Sequence, residues 1–230
     1  IDKTRAHRQA EAGKLIQLMR GIYVDADDDI DQTVRTHAVR IAKYLYPNAY
    51  LSAASAVLLG PMRDGRLFLT GRRVQRQRIR TLEIIQNKAP DHPSVAPAVV
   101  GDDMGELRVD VSSLRQRFLE SFRIRSEHAA SFDEAMREAI GARLIEEYGS
   151  SNNAADAVFK LARDNDWLDE GSQAERFLKR KPGAAVGNQA ALDLIVAWHG
   201  APIGTLVHDG FEWRWHGSDP DGPPLVRQTM

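Results

Sequence analysis

The run KRKPGAAVGNQAA, from Lys179 to Ala191, constrains this chain more than any other stretch. Basic residues give way to proline, glycine and alanine with neither helical nor strand periodicity, so the segment has no face to bury. It reads as a linker at 181–189, and the chain must fold as units on either side. With 230 residues there is enough chain for a sizeable core before it. Changes of pattern further upstream suggest three folded regions, at 1–46, 47–180 and 190–230.

The first region opens with Thr4 to Ala12, rich in helix formers and stopped by Gly13, a residue that tolerates the left-handed backbone of a helix end. The following KLIQLMRGIYV is apolar and β-branched around Arg20-Gly21, which predicts a β-hairpin. A basic helix running directly into a hairpin is the arrangement of a winged helix-turn-helix, whose helix enters the major groove while the wing touches phosphates. Lys3, Arg5, Arg8, Lys14 and Arg20 would supply the positive charge. The net charge of −1 excludes a globally basic nucleic-acid coat and leaves such local patches open.

The segment GKLIQLMRGIYV resembles the Leu-x-x-Leu-x-Arg-Gly-x-Tyr signature that closes the winged-helix domain of AbiEi-type antitoxins and related transcriptional regulators. The resemblance covers the wing and its preceding helix, and it adds Tyr23 to the residues expected at DNA. A second likeness to those regulators lies at Tyr50, Leu51, Ser52 and Ala53, where their usual histidine is replaced.

Five aspartates lie between Asp25 and Asp31. An EF-hand would need glycine at its sixth position and glutamate at its twelfth, and both are lacking, so the aspartates read as helix caps and N-terminal charge rather than a metal site. A helix is expected through Val34, Ala38, Ile41 and Leu45, which share one face, with Pro47 ending it. Ser52 is placed to cap a short apolar helix reaching Gly60. Strands are expected at Arg66 to Gly71, where Leu67 and Leu69 alternate with their neighbours, and at Thr81 to Ile85. Between them GRRVQRQRIR brings Arg72, Arg73, Arg76, Arg78 and Arg80 together with no acid among them. That density can hold phosphates. The other reading is a solvated loop, or a face paired with carboxylates such as Asp102 and Asp103.

The prolines of APDHPSVAP forbid continuous helix or central strand. One strand is expected in GELRVDV, then a helix from a Ser131/Glu134 capping box to Gly149, and two more at about 153–163 and 172–179. Glu146, Glu147, Asp164, Asp166, Asp169 and Glu170 have no basic partner in the pattern and read as ordinary charges of exposed helices. With no cysteine in the chain, thiol nucleophiles, thiolate metal sites and disulfides are excluded. No apolar run is long enough to span a bilayer and no signal sequence opens the chain, so a cytoplasmic location is expected. Ile1 stands where a methionine would, and the first residues read as the middle of an element, which suggests a fragment or cleaved product.

The stretch LDLIVAWHGAPIGTLVHDGFEWRWHG alternates in the manner of three strands, with His199-Gly200 and Asp209-Gly210 at the turns and Phe211, Trp213 and Trp215 sharing a face. His199, His208 and His216 do not converge as metal ligands must. The aromatic row reads as a buried face, and a three-stranded sheet needs further cover to bury it. Together with Pro223, Pro224 and Leu225, this stretch resembles the N-terminal subdomain of HipA-family toxins, protein serine/threonine kinases of bacterial toxin–antitoxin systems. Leu194 to Val196, then Gly200, Ile203, Gly204 and Leu206, then Phe211 to Trp215 carry the likeness.

The expected fold is α+β: a partial winged helix-turn-helix, a mixed α/β middle region with C-terminal helices, and a small antiparallel β-sheet. The expected function is a DNA-binding and interaction module of a HipA-like toxin–antitoxin protein in transcriptional regulation. The alternative is the regulatory N-terminal part of a HipA-like serine/threonine kinase. Neither a catalytic site nor a cofactor is expected within these residues. The expected partners are double-stranded DNA, an antitoxin or kinase core packing on the 190–230 sheet, and a second copy of the chain; a membrane is not among them.

Overall fold

The helix expected at the start is α1 (Lys3–Glu11), followed by Gly13 at φ +72°. Lys14 N–H reaches back to Gln9 O at 2.9 Å and turns the chain into the hairpin β1 (Leu15–Met19) and β2 (Ile22–Asp25). Asp29 then caps α2 (Ile30–Thr36), its carboxylate accepting the N–H groups of Asp31 and Gln32 at 3.1 Å each. This is the capping role read for the aspartate run. The helix expected through Val34 and Leu45 is two helices, because His37 (φ −96°, ψ 14°) leaves helical geometry between α2 and α3 (Ala38–Leu45). The His37 ring is engaged by Asp102 and Asp103.

The computed structural model describes residues 3–123 and 127–180, and the strand backbone of 192–198, 201–208 and 213–217. Its central sheet is built from β3 (Tyr50–Leu51), β4 (Arg66–Gly71), β5 (Gln75–Ile79), β6 (Leu82–Lys88), β7 (Val95–Asp102) and β8 (Gly105–Ser112), in the order β5-β6-β4-β3-β8-β7. The sheet is mixed: β4 runs parallel to β6 and β3 to β8, while the other neighbours are antiparallel. Along β4, Leu67 and Leu69 join a core with Val34, Ala38, Val39 and Ile41 of α2 and α3, while Phe68 joins the core on the opposite face. The strand is buried on both sides, which is why it reads as a near-continuous apolar run. Leu18, Met19 and Ile22 of the hairpin pack against the α2–α3 side.

Two segments read as irregular contain strands. Half of the arginine-rich loop is β5, which completes one edge of the sheet. Pro97, in the proline-rich run, lies in β7 at the other edge, where its missing N–H leaves no gap in a central ladder. Between β3 and β4 lies α4 (Ala53–Leu58), preceded by Ser52 as expected, yet the Ser52 side chain makes no cap bond. Its hydroxyl faces His128 instead.

The second face of the sheet is covered by α5 (Leu114–Glu120), α6 (Glu127–Ala130), α7 (Glu134–Tyr148), α8 (Ser151–Asp164) and α9 (Leu168–Lys179). Of these, α5 and α6 have no counterpart in the sequence reading. The cap of α7 is Asp133, which accepts Met136 N–H at 2.7 Å; Ser131 is buried and accepts Ala54 N–H instead. Phe118, Leu144 and Val158 are fully buried in this core, and truncating the first to alanine would cost about 3–5 kcal/mol. A β-carbon at Gly171 would meet that of Ala162 at 2.7 Å, so glycine sets how closely α9 approaches α8.

Ile1–Lys179 form one compact unit and Arg180–Met230 a second. In the second, β9 (Leu192–Trp198), β10 (Ala201–His208) and β11 (Trp213–Gly217) make an antiparallel sheet in the order β11-β10-β9, as expected. Leu206 is in register with Leu194 on one side and Trp215 on the other. The linker at 181–189, the turns at His199-Gly200 and Asp209-Gly210, Phe211 and the Pro223–Leu225 segment lie outside the described residues. No helix among the described residues is long and apolar enough to cross a membrane.

Candidate functional site

The basic residues read as a DNA surface fall into two groups. In the first, Ala6 is buried and fixes one side of α1, leaving Arg5 and Arg8 exposed. Lys3 opens the same helix. Arg20 is exposed at the hairpin tip, and Tyr23 is half-buried in β2. Arg5, Arg8, Lys14 and Arg20 have no carboxylate within ion-pair distance among the described residues. The hairpin is polarised: Leu15 pairs with Asp25 at its base and Met19 with Ile22 near its tip. Arg20 therefore stands roughly 13 Å from the acidic run, by the rise of about 3.3 Å per strand residue. Lys14 sits at the base, its carbonyl accepting Ala26 N–H at 3.0 Å.

The second group divides. Arg76 donates to Glu127 at 2.6 Å and lies 3.4 Å from Glu83, and Arg80 donates to Asp31 at 3.3 Å. Arg76 ties β5 to α6 and β6, and Arg80, in the turn after β5, reaches α2. Arg78 donates to the backbone carbonyl of Arg80 at 3.4 Å and has no ion pair among the described residues. Arg72 and Arg73, on the turn after β4, are exposed without an ion pair among the described residues. They stand a strand length from Arg80, at the other end of β5.

Asp102 and Asp103, the carboxylates that the alternative reading of the arginine run named as examples of counter-charges, pair instead with His37 and Arg40 at the α2–α3 junction. Arg40 donates to both Asp102 oxygens, from Nε at 2.9 Å and Nη2 at 2.7 Å, and His37 lies between the two aspartates at 3.2 Å from each. The Arg40 guanidinium holds the Asp102 carboxyl well below the usual carboxylate range. His37, Asp102 and Asp103 are close enough to suggest a metal site. However, Asp102 also accepts Met104 N–H at 3.0 Å, and a cation there would compete with a guanidinium already in place. The cluster acts as a clasp between the α2–α3 junction and the β7–β8 turn.

A further polar cluster, unmarked in the sequence, lies beneath α4. His128 Nε2 is 2.9 Å from Ser52 Oγ and 3.1 Å from Leu69 O, and Nδ1 is 2.8 Å from Asn87 Nδ2. Serine, histidine and asparagine in a row suggest an activated nucleophile. The hydrogen bonds argue against it. Leu69 O can only accept, so Nε2 carries the proton, and Nδ1 accepts from the Asn87 amide. In that tautomer His128 cannot take a proton from Ser52, and Ser52 is fully buried. Burial pushes the His128 ring down to about 4, so it is neutral at neutral pH.

Glu120 lies in the same region. Its Oε2 accepts Ala53 N–H at 3.0 Å and its Oε1 accepts Gln116 Nε2 at 3.3 Å. Burial pushes the carboxyl up to about 7, against the pull of those donors. Ala53 has φ +52°, a left-handed conformation that costs an L-residue roughly 1–2 kcal/mol. That backbone turns the successive N–H groups of Ala53 and Ala54 toward Glu120 and Ser131.

The chain matches no protein-family model and, at significance, no curated protein. Residue geometry therefore carries the functional argument. Glu146, Glu147, Asp164, Asp166 and Asp169 are exposed on or beside α7 to α9, and Glu170 is half-buried 3.8 Å from Arg123. They do not converge on a common site. The missed residues, Glu120 and His128, sit at ordinary positions in the pattern. The one signal was the Gln116/Glu120 spacing beside Phe118 and Leu119, which puts polar groups on a helix that is apolar elsewhere.

Proposed function

We propose that this chain is a DNA-binding and interaction module of a HipA-like toxin–antitoxin protein, acting in transcriptional regulation. Helix α1 serves as the recognition helix of a partial winged helix, and β1–β2 as its wing. The observation that carries the reading is a helix with Arg5 and Arg8 exposed, running directly into a hairpin tipped by Arg20, with none of the three paired to a carboxylate among the described residues. Side chains so placed release counterions from phosphates when they bind. Arg72 and Arg73 extend the set. Arg76 and Arg80 contribute less, because carboxylates already hold them.

The test is duplex binding across a salt series. The slope of log affinity against log salt is expected to fall by roughly 1 for each of Arg5→Ala, Arg8→Ala and Arg20→Ala. Binding that ignores salt, or no binding at low ionic strength, would sink the reading.

A second reading rests on the separate antiparallel sheet β9–β11. It is that of the regulatory N-terminal part of a HipA-like serine/threonine kinase. A reading frame that continues beyond Met230 into a kinase catalytic loop would separate the two.

A further inference from the structure

The parallel strands β4 and β6 end side by side, with Thr70 in register with Asn87 and Gly71 with Lys88. In sheets with parallel strands, ligands favour the crevice outside the strands' carboxyl ends. A small open cleft lies at that place, lined by Thr70, Asn87, Lys88, Glu120, Arg123 and Trp167 among others. Its enclosed part has room for about one water, so a ligand sits at its mouth and must be a compact group.

Its charge is lopsided. Lys88 is exposed, with no carboxylate within ion-pair distance among the described residues. The Arg123 guanidinium lies over the Trp167 ring at 4.3 Å, and its nearest acid, Glu170, is 3.8 Å away. Arg72 and Arg73 follow Gly71 directly, so the backbone pairing sets them beside Lys88, and they are also unneutralised among the described residues. Two acids lie close, Glu127 outside the cleft and Glu120 on its inner wall, where burial pushes the Glu120 carboxyl up toward its neutral form. Glu127 holds Arg76, and both Glu120 oxygens face inward donors.

We propose that this cleft binds a phosphate group, held by the Lys88 ammonium and the Arg123 guanidinium with Thr70 as a further donor. An ammonium, a guanidinium and a hydroxyl on the walls of one cleft match a compact multivalent oxyanion better than a carboxylate, which offers two oxygens and one charge. The site is separate from α1 and the hairpin, and it stands or falls independently of DNA binding there. The phosphate can come from a free nucleotide or from the end of a nucleic-acid strand.

The whole chain, labelled with 15N, is titrated with inorganic phosphate, a nucleoside 5′-monophosphate, and a single strand with or without a 5′-phosphate. Saturable shifts are expected at the Trp167 indole, assigned with Trp167→Phe, and at the Thr70 and Lys88 amides. Lys88→Ala with Arg123→Ala should weaken binding by about tenfold or more, while Arg108→Ala, exposed on β8 and outside the cleft lining, leaves it unchanged. A monophosphate that binds as well as the phosphorylated strand points to a free nucleotide. A stronger phosphorylated strand, with no gain for the unphosphorylated one, points to a strand end. Absence of saturable shifts with all phosphate ligands, equal shifts with chloride, or unchanged affinity in the double variant would overturn the proposal.

Discussion

Glu120 Oε2 accepts the backbone N–H of Ala53 at 3.0 Å, so a buried carboxyl on α5 holds the left-handed first residue of α4. The carboxyl binds its proton more tightly in the folded protein, near 7, than in the unfolded chain, near 4.5. Its contribution to stability is complete below pH 4.5 and is lost as pH rises through 7. The loss amounts to roughly 3 kcal/mol. Glu120→Gln keeps an acceptor for Ala53 and removes the titration. Urea unfolding at a series of pH values should show the wild type's stability, measured relative to the variant, falling by that amount between pH 4.5 and 7.

His128 acts in the opposite direction. Its proton is bound less tightly in the folded protein, near 4, than in the unfolded chain, near 6.5. Its contribution is complete above pH 6.5 and is lost as pH falls through 4, again by roughly 3 kcal/mol. In the wild type the two trends nearly cancel between pH 4.5 and 6.5. With Glu120→Gln, stability should rise with pH across that interval; with His128→Gln it should fall. Parallel profiles in the two variants would show that these groups do not titrate as their burial requires.

These two residues also mark the limit of what the sequence discloses. Local signals were readable where a few neighbouring residues decide the outcome: Gly13 ending α1, Arg20-Gly21 turning the hairpin, Asp29 capping α2, and the alternation of β9 to β11. Tertiary partners decided the rest. Gln75 to Ile79 became a strand because β6 offered an edge, and Ser52 and Ser131 gave up capping because His128 and Ala54 lay opposite them. Phe68 looked like an outward neighbour of Leu67 and Leu69 until helices covered the second face. The basic residues of the candidate site were legible, but which of them carboxylates neutralise was not, since Asp31, Glu83 and Glu127 are remote in sequence from the arginines or across a strand pair.

Arg40 governs the clasp at Asp102. Replacing it with methionine preserves the stem and removes the two guanidinium bonds to Asp102, at 2.9 and 2.7 Å, together with the one to Gly105 O at 2.9 Å. The Asp102 carboxyl should then rise toward the ordinary aspartate value of about 3.9, held below it by the remaining His37 and Met104 donors, where in the wild type it stays ionised to much lower pH. Carboxyl-carbon NMR would follow this directly. Hydrogen exchange at Met104, whose N–H bonds Asp102, should accelerate in the variant while exchange in β4 stays slow. An unmoved Asp102 titration would assign its low value to the remaining donors.

Gly21 connects the hairpin's shape to its proposed role. It has φ +84°, and a β-carbon there would run into the Tyr44 hydroxyl on α3. Gly21→Ala therefore meets two obstacles: a left-handed backbone costing roughly 1–2 kcal/mol, and a ring that must move aside. Tyr44 is largely exposed, so the ring can move, and Tyr44→Phe added to Gly21→Ala should recover only the steric part. Chemical denaturation should show Gly21→Ala destabilised and the double variant partly restored. If the tip presents Arg20 to phosphate, Gly21→Ala should also weaken duplex binding at fixed salt without lowering the salt slope as far as Arg20→Ala does, because the charge is kept and only its position is lost. Equal slopes for the two variants would mean that the distorted tip no longer reaches the backbone at all, and unchanged affinity in both would remove the hairpin from the interface.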